Sequence, residues 1–299
     1  SAIDSVDTVE NISEDILDNT TANEKINNLD NNLEQEDLND IGKKLDEAKD
    51  SSYQSRIIDA LKKLESNSAK YLSIDKLNTY SPKFLTMLNN ILDTSNKGIH
   101  LIYSQFKTLE GIGIFKIILK QNGYVEFKLN KTSTGQYTFN IDPENIGKPM
   151  FASYSGDESS EERDIIKNVL NSNWKLVPSN IVTQLKNISP NNLYGEVIKV
   201  LMITSSGAEG ISLKNVRYVH ITEPYWHPVR NTQVIGRAKR ICSHSELPKE
   251  LQTVEVFLYL MKFTEKQLET LSIDIKLNDV SKKNKKRVLT SDEFLFEIS

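Results

Sequence analysis

In 299 residues the chain carries one cysteine, Cys242, which rules out an internal disulfide and a cysteine-built zinc framework. No apolar run approaches the roughly 20 residues a membrane-spanning helix needs, and the acidic N-terminus is unlike a signal peptide, so a soluble, intracellular protein without a membrane partner is expected. The net charge of -4 hides an asymmetry: 15 of the 41 Asp and Glu but only 4 of the 37 Lys and Arg fall in residues 1–50, so the remainder carries +7, which suits a polyanionic partner.

Residues 1–50 are Asn-rich and lack aromatic side chains. They hold too few apolar residues to nucleate a core and are expected to form a disordered acidic linker or insertion. Ile57, Ile58, Leu61 and Leu64 recur at helical spacing and predict a helix from Tyr53 to about Glu65, inside a helical linker over 51–76. Ser81-Pro82 starts a further helix, with Phe84, Leu85, Leu88, Ile91 and Leu92 on one face. His100 to Tyr103 reads as a buried strand, Thr108 to Lys120 as a helix closed by Gly123, and Val125 to Leu129 as a strand. Lys131 to Lys148, rich in Thr, Asn, Gly and Pro, reads as a surface insertion.

A strand at Phe151 to Tyr154 precedes an amphipathic helix from Ser160 to Asn171, and Ser172 to Gly195 reads as irregular. Strands follow at Val197 to Ile203, Tyr218 to Ile221 and Val254 to Leu260, with a helix before the last. Strands alternating with helices predict an α/β fold with a parallel sheet covered by helices on both faces. Ligands of such sheets collect at loops beyond the carboxyl ends of the strands.

The most informative stretch is Thr204 to His244, TSSGAEGISLKNVRYVHITEPYWHPVRNTQVIGRAKRICSH. Spacings of three, four and seven place Gln233, Arg237 and Arg240 along one face of a helix, where Gly236 would let another backbone approach closely. Two guanidiniums and an amide in one row suit a polyphosphate, because Arg is always charged and forks onto phosphate oxygens. QVIGRAKR resembles motif VI of superfamily 2 helicases and translocases, and GAEGISL resembles motif V. EPYWHP followed by Gln233 resembles the D-P-x-W-N-P…Q run of the Snf2-like branch. The wording is closer still to the helicases and early-transcription NTPases of large nucleocytoplasmic DNA viruses, with a motif IV-like HLIYSQFKTLEGIGI upstream.

That resemblance implies a single RecA-like lobe over 77–275, preceded by the acidic disordered segment and followed by a basic linker and truncated extension over 276–299. It implies Arg240 as the arginine finger, Arg237 on the same phosphates, and Gln233, Gly236, Glu209 and Gly210 toward the nucleotide, with Glu209 also linking motif V to motif VI. Thr204, Ser205 and Gly207 would hold nucleic-acid phosphate, joined by Ser104 and Gln105 in motif IV and by Tyr154, Ser155 and Gly156 at the next strand end. Ser212 stands where many superfamily 2 helicases carry Asp, which removes support for a ribose contact there. For Ser104, Gln105 and Phe106, packing at the strand end is as good a reading as function, and for the arginines the competing reading is an ion pair with acidic neighbours. Trp226 reads as a buried loop anchor rather than a base stacker. His227, Cys242 and His244 lack metal-ligand spacing, so no metal site is assigned. The basic run 282–287 reads as a solvated linker as readily as a DNA contact.

No G-x-x-x-x-G-K-[ST] loop occurs in the sequence, and no D-E-x-x motif in a strand context supplies a magnesium carboxylate. In the resembled family these sit in the first lobe, so ATP and Mg2+ would be held mainly by that missing N-terminal lobe, and this chain alone is expected to be inactive. The expected partners are that lobe, nucleic acid (DNA rather than RNA) and viral transcription machinery, in host cytoplasm, viral factory or virion. A non-catalytic RecA-like docking module of a transcription complex is the alternative. A self-contained nucleotide enzyme of another α/β type fails for want of a phosphate loop.

Overall fold

The computed structural model of the protein describes residues 55–109, 111–156, 158–205, 211–225, 227–269 and 289–298. The chain divides into two units, 1–59 and 60–299. Of the first, residues 55–59 are described and are helical. The acidic stretch 1–50 and the basic run 282–287 lie outside the described residues. In the second unit residues 60–66 are helical, and Leu61 and Leu64 pack on the core as their spacing predicts.

Six strands form one parallel sheet in the order β2-β5-β6-β1-β7-β8. They are β1 (Ile99–Tyr103), β2 (Val125–Glu126), β5 (Met150–Tyr154), β6 (Ile198–Ile203), β7 (Val216–Ile221) and β8 (Glu255–Leu258). β1 and β7 are buried at every residue, the expected pattern when both faces of a parallel sheet are covered. Ile99, Leu101 and Tyr103 face one core cluster, shared with the helices α3 (Ser160–Leu170), α4 (Ser179–Ile188) and α5 (Pro228–Ala238). Ile102, Phe151, Val200 and Met202 face the other, with α1 (Pro82–Leu92) and α2 (Ile112–Gln121). Alternate residues of β1 thus feed opposite layers, and the result is a RecA-like α/β arrangement.

Three expectations are corrected. Helix α2 begins at Ile112 rather than Thr108. Residues before it loop back on β1: the Ile112 amide donates to the Phe106 carbonyl at 3.0 Å, and a Cβ on Gly111 would sit 2.1 Å from that same oxygen. The strand expected at 125–129 is split. After Glu126 the chain leaves the main sheet, and β3 (Leu129–Lys131) pairs antiparallel with β4 (Tyr137–Phe139). The supposed surface insertion is therefore a hairpin that buries Leu129, Tyr137 and Phe139, with Phe127 stacked 4.7 Å from Phe139. Finally, the stretch taken as irregular contains α4, with Pro178 as its N-cap and Ile181 and Leu185 fully buried. The Asn180 side-chain amide donates to the Tyr137 carbonyl at 2.9 Å, tying that helix to the hairpin.

Candidate nucleotide and nucleic-acid site

β5, β6, β1 and β7 are consecutive neighbours in the sheet, so the residues just past their carboxyl ends come together. Those residues are Ser155, Thr204, Ser104 and the pair Thr222-Glu223. The Ser104 amide donates to the Ile203 carbonyl at 3.2 Å and the Thr222 amide to the Tyr103 carbonyl at 3.0 Å. Thr204 Oγ1 donates to the Ser155 carbonyl at 3.1 Å. Four loops that lie apart in sequence are thereby fastened side by side at one edge.

Glu223, which sequence reasoning passed over, fastens two of them. Its carboxylate is buried and accepts from Ser104 Oγ at 2.7 Å and from the Gln105 amide at 3.1 Å. Burial raises its pKa, and the Ser104 and Gln105 hydrogen bonds oppose that rise. The available signal was a lone carboxylate ending an otherwise apolar strand, VHITE. Ser104 and Gln105 are thus engaged inside the fold, although Gln105 remains partly exposed.

Beyond β5 a second carboxylate does similar work. Glu158 accepts from the amides of Ser155 and Gly156 at 2.9 and 3.0 Å and from the hydroxyls of Ser153 and Ser155 at 3.1 and 3.2 Å. Tyr154 is buried in the core under the Arg163 guanidinium, 5.7 Å from its ring, so of Tyr154, Ser155 and Gly156 only Gly156 is exposed. Thr204 is buried and Ser205 is exposed. Gly207, Glu209 and Gly210 of the motif V loop, and Trp226, lie outside the described residues.

The motif VI helix is α5. His227 caps it by accepting from the Val229 amide, Pro228 occupies its first turn, and Val234 and Ala238 anchor it to the core. Gln233 and Gly236 are exposed, and a Cβ on Gly236 would meet nothing within 4 Å, so the close approach expected there does not occur within this chain. Arg237 is partly buried and its Nε has no hydrogen-bond partner.

Arg240 is not on this helix, which corrects the single-face expectation. The helix ends at Ala238 with Lys239 as its cap. Ser243 Oγ donates to the Ala238 carbonyl at 3.0 Å, and His244 Nε2 lies 2.7 Å from the Val216 carbonyl oxygen, so the chain is drawn back to the start of β7. Cys242 takes the left-handed conformation, φ 61°, in that turn. Arg240 is exposed, and its Nη1 donates to Ser212 Oγ at 2.5 Å. The Leu213 amide also contacts the Arg237 carbonyl at 3.4 Å, so motifs V and VI are joined through Ser212-Leu213. Among the described residues, neither Arg237 nor Arg240 has a carboxylate within 4.0 Å. The ring nitrogens of His244 are engaged by Ser243 and Val216, and no group of three metal-ligating side chains occurs among the described residues.

Residues 150–242 match the family model described as helicase conserved C-terminal domain. A putative ATP-dependent RNA helicase of Acanthamoeba polyphaga mimivirus is 33% identical over 200 residues, covering 67% of this chain and 29% of that protein. A termination factor NPH-I homolog of African swine fever virus is 33% identical over 64% of this chain and 27% of its own length. Nucleoside triphosphatase I of Melanoplus sanguinipes entomopoxvirus is 26% identical over 75% of this chain and 27% of its own length. The chain thus spans under a third of the length of these relatives. The C-terminal part of the Fun30 ATPase domain has a TM-score of 0.37 and 13% identity, over 79% of this chain and 59% of that one, and the fold assignment rests on strand order without it. Residues 150–242 thus match a helicase C-terminal domain, and the chain is similar to viral helicases and nucleoside triphosphatases over part of their length.

Proposed function

We propose that this chain is the second RecA-like lobe of an ATP-dependent, Snf2-like superfamily 2 DNA helicase or translocase. The observation that carries the reading is the electrostatic state of motif VI: Arg237 and Arg240 have no acidic partner among the described residues, and Arg237 keeps a buried Nε without an acceptor. Several lysines of the fold are paired, as Lys83 is with Asp292 at 2.6 Å and Lys120 with Glu126 at 3.0 Å. A half-buried guanidinium left unpaired fits an anion arriving from outside the lobe.

ATP as its magnesium complex, held by a first lobe, supplies the phosphoryl group for transfer. Arg240, exposed and steadied by Ser212 Oγ, is the finger that neutralises charge developing on it. Arg237 binds the same phosphates from the helix, and Gln233, exposed four residues earlier, orients the nucleotide. An arginine delivered this way contributes about 10³ to 10⁵ in rate. Nucleic acid lies across the carboxyl edge, with the exposed Ser205 of the loop that follows β6 facing its backbone phosphates. Because Ser212-Leu213 touches both motifs, movement of the arginines is transmitted to that grip.

The test is ATP turnover by a longer protein in which this chain follows its first lobe, measured with duplex DNA, single-stranded DNA and RNA. The reading expects DNA-stimulated turnover there and none from the chain alone. Stimulation by RNA alone would reassign the substrate, and a longer protein that binds transcription machinery yet hydrolyses nothing would support a docking module instead.

A further inference from the structure

The opposite, amino-terminal edge of the sheet carries a group of cations that motifs IV to VI do not use. Lys97 immediately precedes Gly98 and β1, Lys199 is the second residue of β6, and Arg217 is the second residue of β7. Since β6, β1 and β7 are adjacent, the three residues lie at neighbouring positions along this edge. Arg217 is 8% exposed, yet has no carboxylate within 4.0 Å among the described residues. Its guanidinium donates to the Lys97 carbonyl through Nη1 and to Thr253 Oγ1 at 3.3 Å through Nη2, while Nε has no partner. Arg cannot shed its proton to escape this situation.

The surroundings add positive charge and little negative charge. Burial pushes the Lys199 ammonium below its usual range; Glu196 opposes this, and Arg217 and Lys97 push the same way as burial. Glu196 already accepts from the Tyr194 amide at 2.9 Å, and Asp93 and Glu255, the other carboxylates whose fields reach this edge, form no ion pair with the three cations. Lys97 Nζ stands 4.2 Å over the Tyr194 ring. Two glycines shape the place. A Cβ on Gly98 would lie 2.9 Å from Arg217 Cδ, and one on Gly195 would lie 2.9 Å from Lys199 Cδ. Both glycines have positive φ, and their loops press on the aliphatic stems of Arg217 and Lys199.

Two ammonium groups gathered beside a nearly buried guanidinium are unfavourable unless an anion joins them. We propose that Lys97, Lys199 and Arg217 form an anion site for a phosphate group at the amino-terminal edge of the sheet, opposite the loops that follow β5, β6 and β1. A phosphate matches both the guanidinium fork and the multiple charge, which one carboxylate does not. The phosphate comes either from a nucleic-acid backbone or from a free phosphate compound.

The test is a titration of the ¹⁵N-labelled full chain with sodium pyrophosphate, against sodium chloride at matched ionic strength, following the Gly98 and Gly195 amide resonances. Saturable shifts are expected with pyrophosphate, and the dissociation constant should weaken about tenfold or more in Lys97→Ala/Lys199→Ala. A second arm uses a short oligothymidine. If it moves the same resonances in competition with pyrophosphate, the site takes strand phosphate; if pyrophosphate alone moves them, it takes free phosphate compounds. Should the double variant lose its fold by thermal melting, Lys199→Gln provides the same comparison. Absence of saturable shifts with either probe, equal shifts with chloride, or unchanged affinity in the folded variant overturns the proposal.

Discussion

Removing the Glu223 carboxylate should separate its fastening role from its charge. Glu223→Ala leaves the Gln105 amide without an acceptor, whereas the Ser104 hydroxyl can turn to the Phe106 carbonyl, 3.2 Å away. One orphaned buried donor costs about 1–3 kcal/mol, and the lost apolar stem adds about 1 kcal/mol, so the chain should lose about 2–4 kcal/mol. Glu223→Gln keeps one acceptor oxygen, and Ser104 Oγ can accept from the new amide, so its cost should stay near ~1 kcal/mol. Burial holds the folded carboxyl above its unfolded pKa, so the native state takes up the proton first. That contribution is fully present below the unfolded pKa and is lost as pH rises through the folded one. The wild type should therefore gain on Glu223→Gln as pH is lowered from neutrality. Urea unfolding at neutral and mildly acidic pH, with the denaturant slope unchanged, reads both effects. An Ala variant within about 0.5 kcal/mol of wild type, or a Gln variant as damaged as Ala, would refute the reasoning.

Leu185→Ala, at a fully buried position of α4, should cost about 2–5 kcal/mol in the same assay, and a surface-like cost would mean that the helix does not pack as described. The buried pair His100 and His220, with nitrogens 2.9 Å apart, should make the fold acid-sensitive. Burial lowers both values, that of His220 to about 3, so stability is full above the unfolded value and falls as pH drops below it. The fall should be shallower in His220→Asn, and an equal slope would discount the pair. Deleting residues 1–50 removes 15 acidic against 4 basic residues, so nucleic-acid affinity should rise, most at low salt; no change across a salt titration would end the idea of competition.

The sheet and its order of elements were legible because strands buried on both faces read as largely apolar runs, such as IHLIY and IKVLMI, each broken by a single polar residue. Helix α4 was hidden by composition. Ser, Asn and Pro around it argue for a loop, yet Ile181, Leu185 and Ile188 keep the helical interval. The hairpin was hidden likewise, because Tyr137 and Phe139 sit among Thr, Gly and Asn. At the site, the sequence told which residue types gather at the carboxyl edge, but not which of them the fold itself consumes. Glu158 and Glu223 satisfy amides expected to face a phosphate, and no spacing rule announces that. Arg240 left the helix face for a similar reason, since the pull comes from His244, a contact with β7 across 28 positions.

The central claim is that motif VI acts on a nucleotide held elsewhere. The most direct measurement is kcat, ATP affinity and melting temperature on one preparation of Arg240→Lys in the longer, two-lobe protein. Arg240→Lys keeps the charge and loses the planar fork, so kcat should fall by about 10² or more while ATP affinity and melting temperature change little. A stable Arg240→Lys protein with full kcat would contradict the finger assignment and transfer it to Arg237. A lowered melting temperature with kcat intact would make Arg240 a structural partner of Ser212 and nothing more.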